Sequence, residues 1–142
     1  MGKEQLQRGF RDEIFRTDIR DENEVRKLFK ECRPDIVINT SALSVPDYCE
    51  THHAEAEATN VTAVETIAHV CEQYGSRFIH LSTDFVFDGK STRLYKEEDE
   101  AIPVNYYGVT KLKAEKIIAS ICSNYAIVRV VVVYGKALPG QH

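Results

Sequence analysis

Three consecutive apolar residues, Ile36-Val37-Ile38, follow Arg33-Pro34-Asp35 and give way at once to a polar loop from Asn39 to Pro46. A strand with one wet face alternates apolar and polar residues. A strand that is apolar at every position is expected to be covered on both faces, as in a parallel sheet clad by helices. The neighbouring segments supply those helices, so the run points to an α/β layered architecture.

Upstream, Glu13 to Thr17 is a short strand candidate, and Asp18-Ile19 begins a turn. Asp21 and Glu24 stand three apart in a capping-box-like pattern. Val25, Leu28, Phe29 and Cys32 then follow at helical spacing, and Pro34 closes the helix. Downstream, Thr51 to Tyr74 reads as one long helix with Ala54, Ala58, Val61, Val64, Ala68 and Cys71 on a single face and Gly75 as its stop. Phe78 to Leu81 reads as a second buried strand. Ser82 to Val104 reads as a loop with a turn at Asp88-Gly89. Asn105 can cap a helix that carries Val109, Leu112, Ile117, Ile118 and Ile121 inward. Ala126 to Val133 is a β-branched strand closed by Gly135. Strand and helix alternate throughout, as parallel sheets with right-handed crossovers require.

At 142 residues the chain fits one domain, and 43% hydrophobic with 28% charged residues reads as globular. A net charge of -4 without a basic stripe argues against nucleic-acid binding. No apolar run is long enough to cross a membrane. Cys32, Cys49, Cys71 and Cys122 make no Cys-x-x-Cys, so a reduced, cytoplasmic protein with free thiols is expected. Cys32 and Cys71 fall on the apolar faces of their helices. Cys49 with His52 and His53 lacks a second ligand pair, and no metal site is expected.

Ligands of open α/β sheets bind beyond the carboxyl ends of the strands. Three polar segments lie there: Asn39-Thr40-Ser41-Ala42, Ser82-Thr83-Asp84, and the approach to Tyr107. Tyr107 and Lys111 stand one helical turn apart on the same face. A nearby ammonium favours phenolate, lowers the tyrosine pKa and makes it a better proton donor, and a hydroxyl from Thr83 could hold the same substrate oxygen. On its own the pair reads as easily as a half-buried aromatic beside a solvated charge.

The wider sequence resembles the extended short-chain dehydrogenase/reductase family, on its dTDP-4-dehydrorhamnose reductase branch. The resemblance rests on Arg33-Pro34-Asp35-Ile36-Val37-Ile38-Asn39, then Asp47 and Glu50, then Asn60-Val61. It continues through Leu81-Ser82-Thr83-Asp84-Phe85-Val86-Phe87-Asp88-Gly89 and Tyr107-Gly108-Val109-Thr110-Lys111-Leu112-Lys113-Ala114-Glu115. It implies a Rossmann-type three-layer α/β sandwich with a mostly parallel sheet. It also implies reduction of a keto group on a nucleotide sugar with NADP as coenzyme, NAD being the alternative. Thr83, Tyr107 and Lys111 would be the catalytic set, with Lys111 also holding the nicotinamide ribose. Asp18 and Ile19 would flank the adenine, where a plain turn is the other reading of Asp18. Asn39, Thr40, Ser41, Ala42, Asn60 and Ser82 would lie along the cofactor, where a helix-surface position is the other reading of Asn60. Thr83, Asp84, Phe85 and Tyr107 would meet the substrate.

Two features depart from the family. Its first strand leads into a Gly-x-x-Gly-x-x-Gly turn that receives the pyrophosphate at a helix N-terminus, and the seven glycines here include no such cluster. The chain therefore looks like a member without the first two strands and the C-terminal substrate lobe, and its uncovered sheet edge would invite pairing with a second copy. The tryptophan common after the last strand is also missing. Alternatives to a reductase are a non-catalytic regulatory module, as in the methionine adenosyltransferase regulatory subunit, which is similar to these reductases, and an inactive fragment.

Overall fold

The computed structural model describes residues 14–131. Helix α1 spans Glu22–Cys32. The Asp21 carboxylate caps it by accepting from the backbone N–H of Asn23 and Glu24, whereas the Glu24 carboxylate reaches back to the N–H of Asp18, beyond the expected cap residue. Arg33 ends the helix in the left-handed region at φ 44° and donates to the carbonyl of Phe29. Strand β1 is Ile36–Asn39.

The long helix expected from Thr51 to Tyr74 is broken into four pieces. These are α2 (Pro46–Thr51), α3 (His53–Glu57), a π-helical segment (Ala58–Thr62) and α4 (Ala63–Tyr74). Proline at the first position of α2 starts the run early. The break comes at His52, whose ring stacks on Tyr48, and the π segment carries Asn60 into the interior. Gly75 closes α4 at φ 70°, as expected.

Strand β2 runs Arg77–Thr83, so Ser82 and Thr83 belong to the sheet and not to the loop after it. A 3-10 turn, Asp84–Val86, follows; helix α5 is Tyr106–Ile121 and β3 is Tyr125–Val130. Val131 has left the strand, and the remainder of the expected strand up to Val133, with Gly135, lies outside the described residues. At the other end Glu13 also lies outside, and residues 14–17 carry no strand.

Among the described residues all pairing is parallel, in the order β1-β2-β3, with Ile36 beside Arg77 and Phe78 beside Tyr125. The chain adds each new strand on the same side of the last. Right-handed crossovers then place both helical connections on one face of the sheet. The core sits on that face, where Val25 and Phe29 of α1, Val64, Ile67, Ala68 and Cys71 of α4, and Ala114 and Ile118 of α5 cover Phe78 and Val37. The opposite face is open among the described residues. Ile36 is 56% and Ile38 61% exposed, so the expectation that this strand is covered on both sides fails for that face. Cys32 is likewise exposed and not on the buried stripe of α1, while Cys49, Cys71 and Cys122 are buried.

Candidate active site

Thr83 ends β2. Its hydroxyl accepts from the N–H of Phe85 at 3.2 Å and donates to the Asp84 carboxylate at 3.2 Å, which winds the chain into the 3-10 turn. Helix α5 begins directly against that turn. Asn105 caps it through the N–H of Gly108 at 2.7 Å, and the Glu50 carboxylate accepts from the N–H of Tyr106 at 2.6 Å. The first turn of α5 is pinned further by Tyr106, whose hydroxyl donates to Glu57 and whose ring stacks on His53. Gly108 is required at this junction. A Cβ there would stand 2.2 Å from the carbonyl oxygen of Phe85.

The close approach brings Tyr107 over Phe85, with ring centroids 6.0 Å apart in an edge-to-face arrangement. Burial raises the Tyr107 phenol above its ordinary pKa, the charges of Cys49 and Asp84 push the same way, and a hydrogen bond with Thr83 pulls against them. The expected lowering by Lys111 is not what the geometry produces, because Lys111 faces elsewhere. Its Nζ lies 3.0 Å from His80 Nε2 and donates to the carbonyl of Leu81 at 2.7 Å. Nor is Lys111 a solvated charge: it is 1% exposed, and desolvation lowers its pKa to about 8.

His80 is fully buried on β2, and desolvation followed by the Lys111 charge holds its pKa down at about 3. Its Nδ1 lies 3.1 Å from Asn39 Nδ2, and the other end of that amide accepts from the N–H and hydroxyl of Ser41. Thr40 is exposed and Ala42 half-buried beside it.

The structure thus brings Thr83, Asp84, Phe85 and Tyr107 together, while Lys111 is turned to Leu81 and to His80, and through His80 is linked to Asn39 and Ser41. The other expected residues make these contacts within the chain. Asn60 is a buried clamp and not a surface residue: its Oδ1 accepts from the N–H of Leu43, and its Nδ2 donates to the carbonyl of Leu43 and the hydroxyl of Thr110. Ser82 turns to Glu115 at 2.5 Å. Glu115 also takes two hydrogen bonds from Arg129, whose guanidinium sits 5.0 Å from the centre of the Phe87 ring. Asp18 is a surface turn residue in a two-point ion pair with Arg20, which holds its carboxyl at about 2. Ile19 packs against the core. Cys49, His52 and His53 are spent separately, on the Leu43 carbonyl, Tyr48 and Tyr106.

Sequence reasoning missed His80, Glu115 and Arg129. Each carried a signal. His80 interrupts an apolar strand, Arg129 interrupts the β-branched run, and Glu115 follows Lys111 by four residues on one helix.

A parallel sheet whose strands are joined through helices, with polar residues at the carboxyl ends of its strands, defines a Rossmann-type α/β unit. More narrowly, the chain belongs to the family described as RmlD substrate binding domain, which its sequence matches over residues 4–141. It is 37% identical over 110 residues to the dTDP-4-dehydrorhamnose reductase of Escherichia coli, covering 78% of this chain and 37% of that protein. It is 35% identical over 123 residues to methionine adenosyltransferase 2 subunit beta of Danio rerio, covering 87% and 37%. Among solved structures, the dTDP-4-dehydrorhamnose reductase of Bacillus anthracis in complex with NADP superposes with a TM-score of 0.82 at 30% identity, covering 85% of this chain and 43% of that one. The chain therefore spans about two fifths of the length of these relatives. No described helix is long and apolar enough to cross a membrane.

Proposed function

We propose that this chain forms the catalytic portion of an NAD(P)H-dependent reductase acting on a keto group of a nucleotide sugar, with dTDP-4-dehydrorhamnose as the leading substrate. The observation that supports the reading is the hydrogen-bonded Thr83 and Tyr107 pair at the carboxyl end of β2, with the phenol kept protonated by burial and Lys111 one helical turn further along α5. The residues that would hold a reduced nicotinamide are Tyr107 and the Asn39 to Ala42 loop, with Lys111 turned inward to His80 and Leu81; when bound, that group would supply hydride to the carbonyl carbon. The chain's own part is acid catalysis. Tyr107 gives its proton to the carbonyl oxygen, Thr83 holds that oxygen by hydrogen bond, and the protonated form of Lys111, one helical turn on, offsets the negative charge left on the phenolate.

Tyr107→Phe in the intact protein tests this directly. It keeps the ring packed on Phe85 and removes the proton donor, so turnover falls by about 10²- to 10⁴-fold while cofactor affinity stays close to wild type. Unchanged reductase turnover would reject the reading. A second reading, a non-catalytic binding module, is favoured by the likeness to methionine adenosyltransferase 2 subunit beta. Cofactor binding without reductase activity in the wild-type protein would select it.

A further inference from the structure

Three polar side chains form a buried line beneath the strand ends: Asn39 on β1, His80 on β2 and Lys111 on α5. Counting donors along this line fixes more than position. The Asn39 oxygen accepts two hydrogen bonds from Ser41, one of them from a backbone N–H that can only donate. That orients the amide so that its Nδ2 donates to His80 Nδ1 at 3.1 Å. His80 is neutral in this setting, so an imidazole whose Nδ1 accepts carries its proton on Nε2. The Nε2–H points at Lys111 Nζ, 3.0 Å away.

An ammonium has three donors and no lone pair, and would meet that N–H head on. An uncharged amine has one lone pair for His80 Nε2–H and can still donate to the Leu81 carbonyl. We propose that His80 is a positioning residue for Lys111: it donates from Nε2 to Nζ, favours the uncharged amine, and through Asn39 couples the charge of Lys111 to the loop that follows β1.

The charged and titratable groups acting on Lys111 are His80 from β2 and Glu115 from its own helix, and Glu115 is engaged by Arg129 from β3 and by Ser82. The carboxylate favours the ammonium; burial and the His80 donor oppose it. A shift of the Asn39 to Ala42 segment that releases the amide would let His80 change tautomer, present a lone pair to Nζ and turn Lys111 into a cation beside Tyr107. The inference deepens the proposed reading of the Tyr107 and Lys111 pair, and rests on it for its catalytic consequence.

The test is spectroscopic and needs neither cofactor nor substrate. Long-range ¹H–¹⁵N spectra of the intact, ligand-free protein report the His80 tautomer, and ¹³C-labelled lysine reports the titration of Lys111. The expected result is an Nε2–H tautomer above pH 8, where Lys111 has lost its proton, with Lys111 titrating at about 8, well below the exposed lysines. Asn39→Asp replaces the donor to Nδ1 by an acceptor, and is expected to switch His80 to Nδ1–H and raise the proton affinity of Lys111 by about tenfold or more. An Nδ1–H tautomer in the wild type above pH 8 overturns the proposal, as does a Lys111 that titrates with the exposed lysines. So does a tautomer unmoved by Asn39→Asp. These readouts stand apart from turnover: an inactive protein with the expected tautomer defeats the reductase reading and leaves His80 in its place, and an active one with the opposite tautomer does the reverse.

Discussion

Lys111→Met should change how stability depends on pH in a defined window. In the unfolded chain Lys111 loses its proton near the ordinary lysine value of 10.5, whereas in the folded chain it does so at about 8. Between those values the unfolded state holds a proton that the folded state has released, so wild-type stability rises with pH there; below about 8 both states are protonated and the contribution is flat. The side chain is 1% exposed, so solvent screening does not erode the effect. The full difference corresponds to about 3 kcal/mol. Methionine keeps the unbranched stem in its packing and removes the titrating amine, and the lost hydrogen bonds to His80 and Leu81 are a constant offset to first order. Urea denaturation of both proteins at pH 7.5, 9 and 10.5 measures the quantity, with the other tyrosines, lysines and cysteines common to both. Wild type should gain about 3 kcal/mol relative to Lys111→Met across the series. Parallel curves for the two proteins would show that Lys111 keeps an ordinary pKa and that desolvation does not govern it.

Two other substitutions probe how the site is held. Arg129→Leu strands the Glu115 carboxylate, 5% exposed, with only Ser82 as partner, and should cost about 3 to 5 kcal/mol in urea unfolding; adding Glu115→Gln should restore a large part of it. Gly108→Ala drives a methyl group into the carbonyl of Phe85 and should cost about 1 to 3 kcal/mol, with loss of the nuclear Overhauser contact between the Phe85 and Tyr107 rings; a stable variant that keeps the contact would refute the tight approach.

Residue pattern alone carried the order of elements from α1 to β3, because helical spacing in α1 and α5 and apolar runs in β1 and β2 are local properties. It did not carry which face of the sheet is covered. Ile36 and Ile38 look the same in sequence whether or not a helix lies over them, and the answer depends on the direction in which strands are added. The break at His52 and the π segment were also hidden, since the apolar spacing continues through them while the bend answers to Asn60 and its clamp on Leu43 and Thr110. Lys111 shows the limit most clearly. Sequence spacing placed it beside Tyr107, but the direction of its amine was set by a histidine on a different element.

The pairing scheme has a bearing on how the chain comes to be folded. Every neighbouring pair of strands is parallel and joined through helices, so no strand can find its partner through a tight turn. Among the described residues Ile36 meets its paired neighbour only once Arg77 has been synthesised, and Phe78 waits in the same way for Tyr125. During translation the edge of β1 that meets β2 thus stays without that partner for the whole time that α2, α3 and α4 are being made. Local helix formation has to come first and bring the strands together. The risk of misassociation is therefore greatest before α4 has docked, and conditions that favour helix early, such as low temperature during expression, should recover more folded protein than later attempts at renaturation.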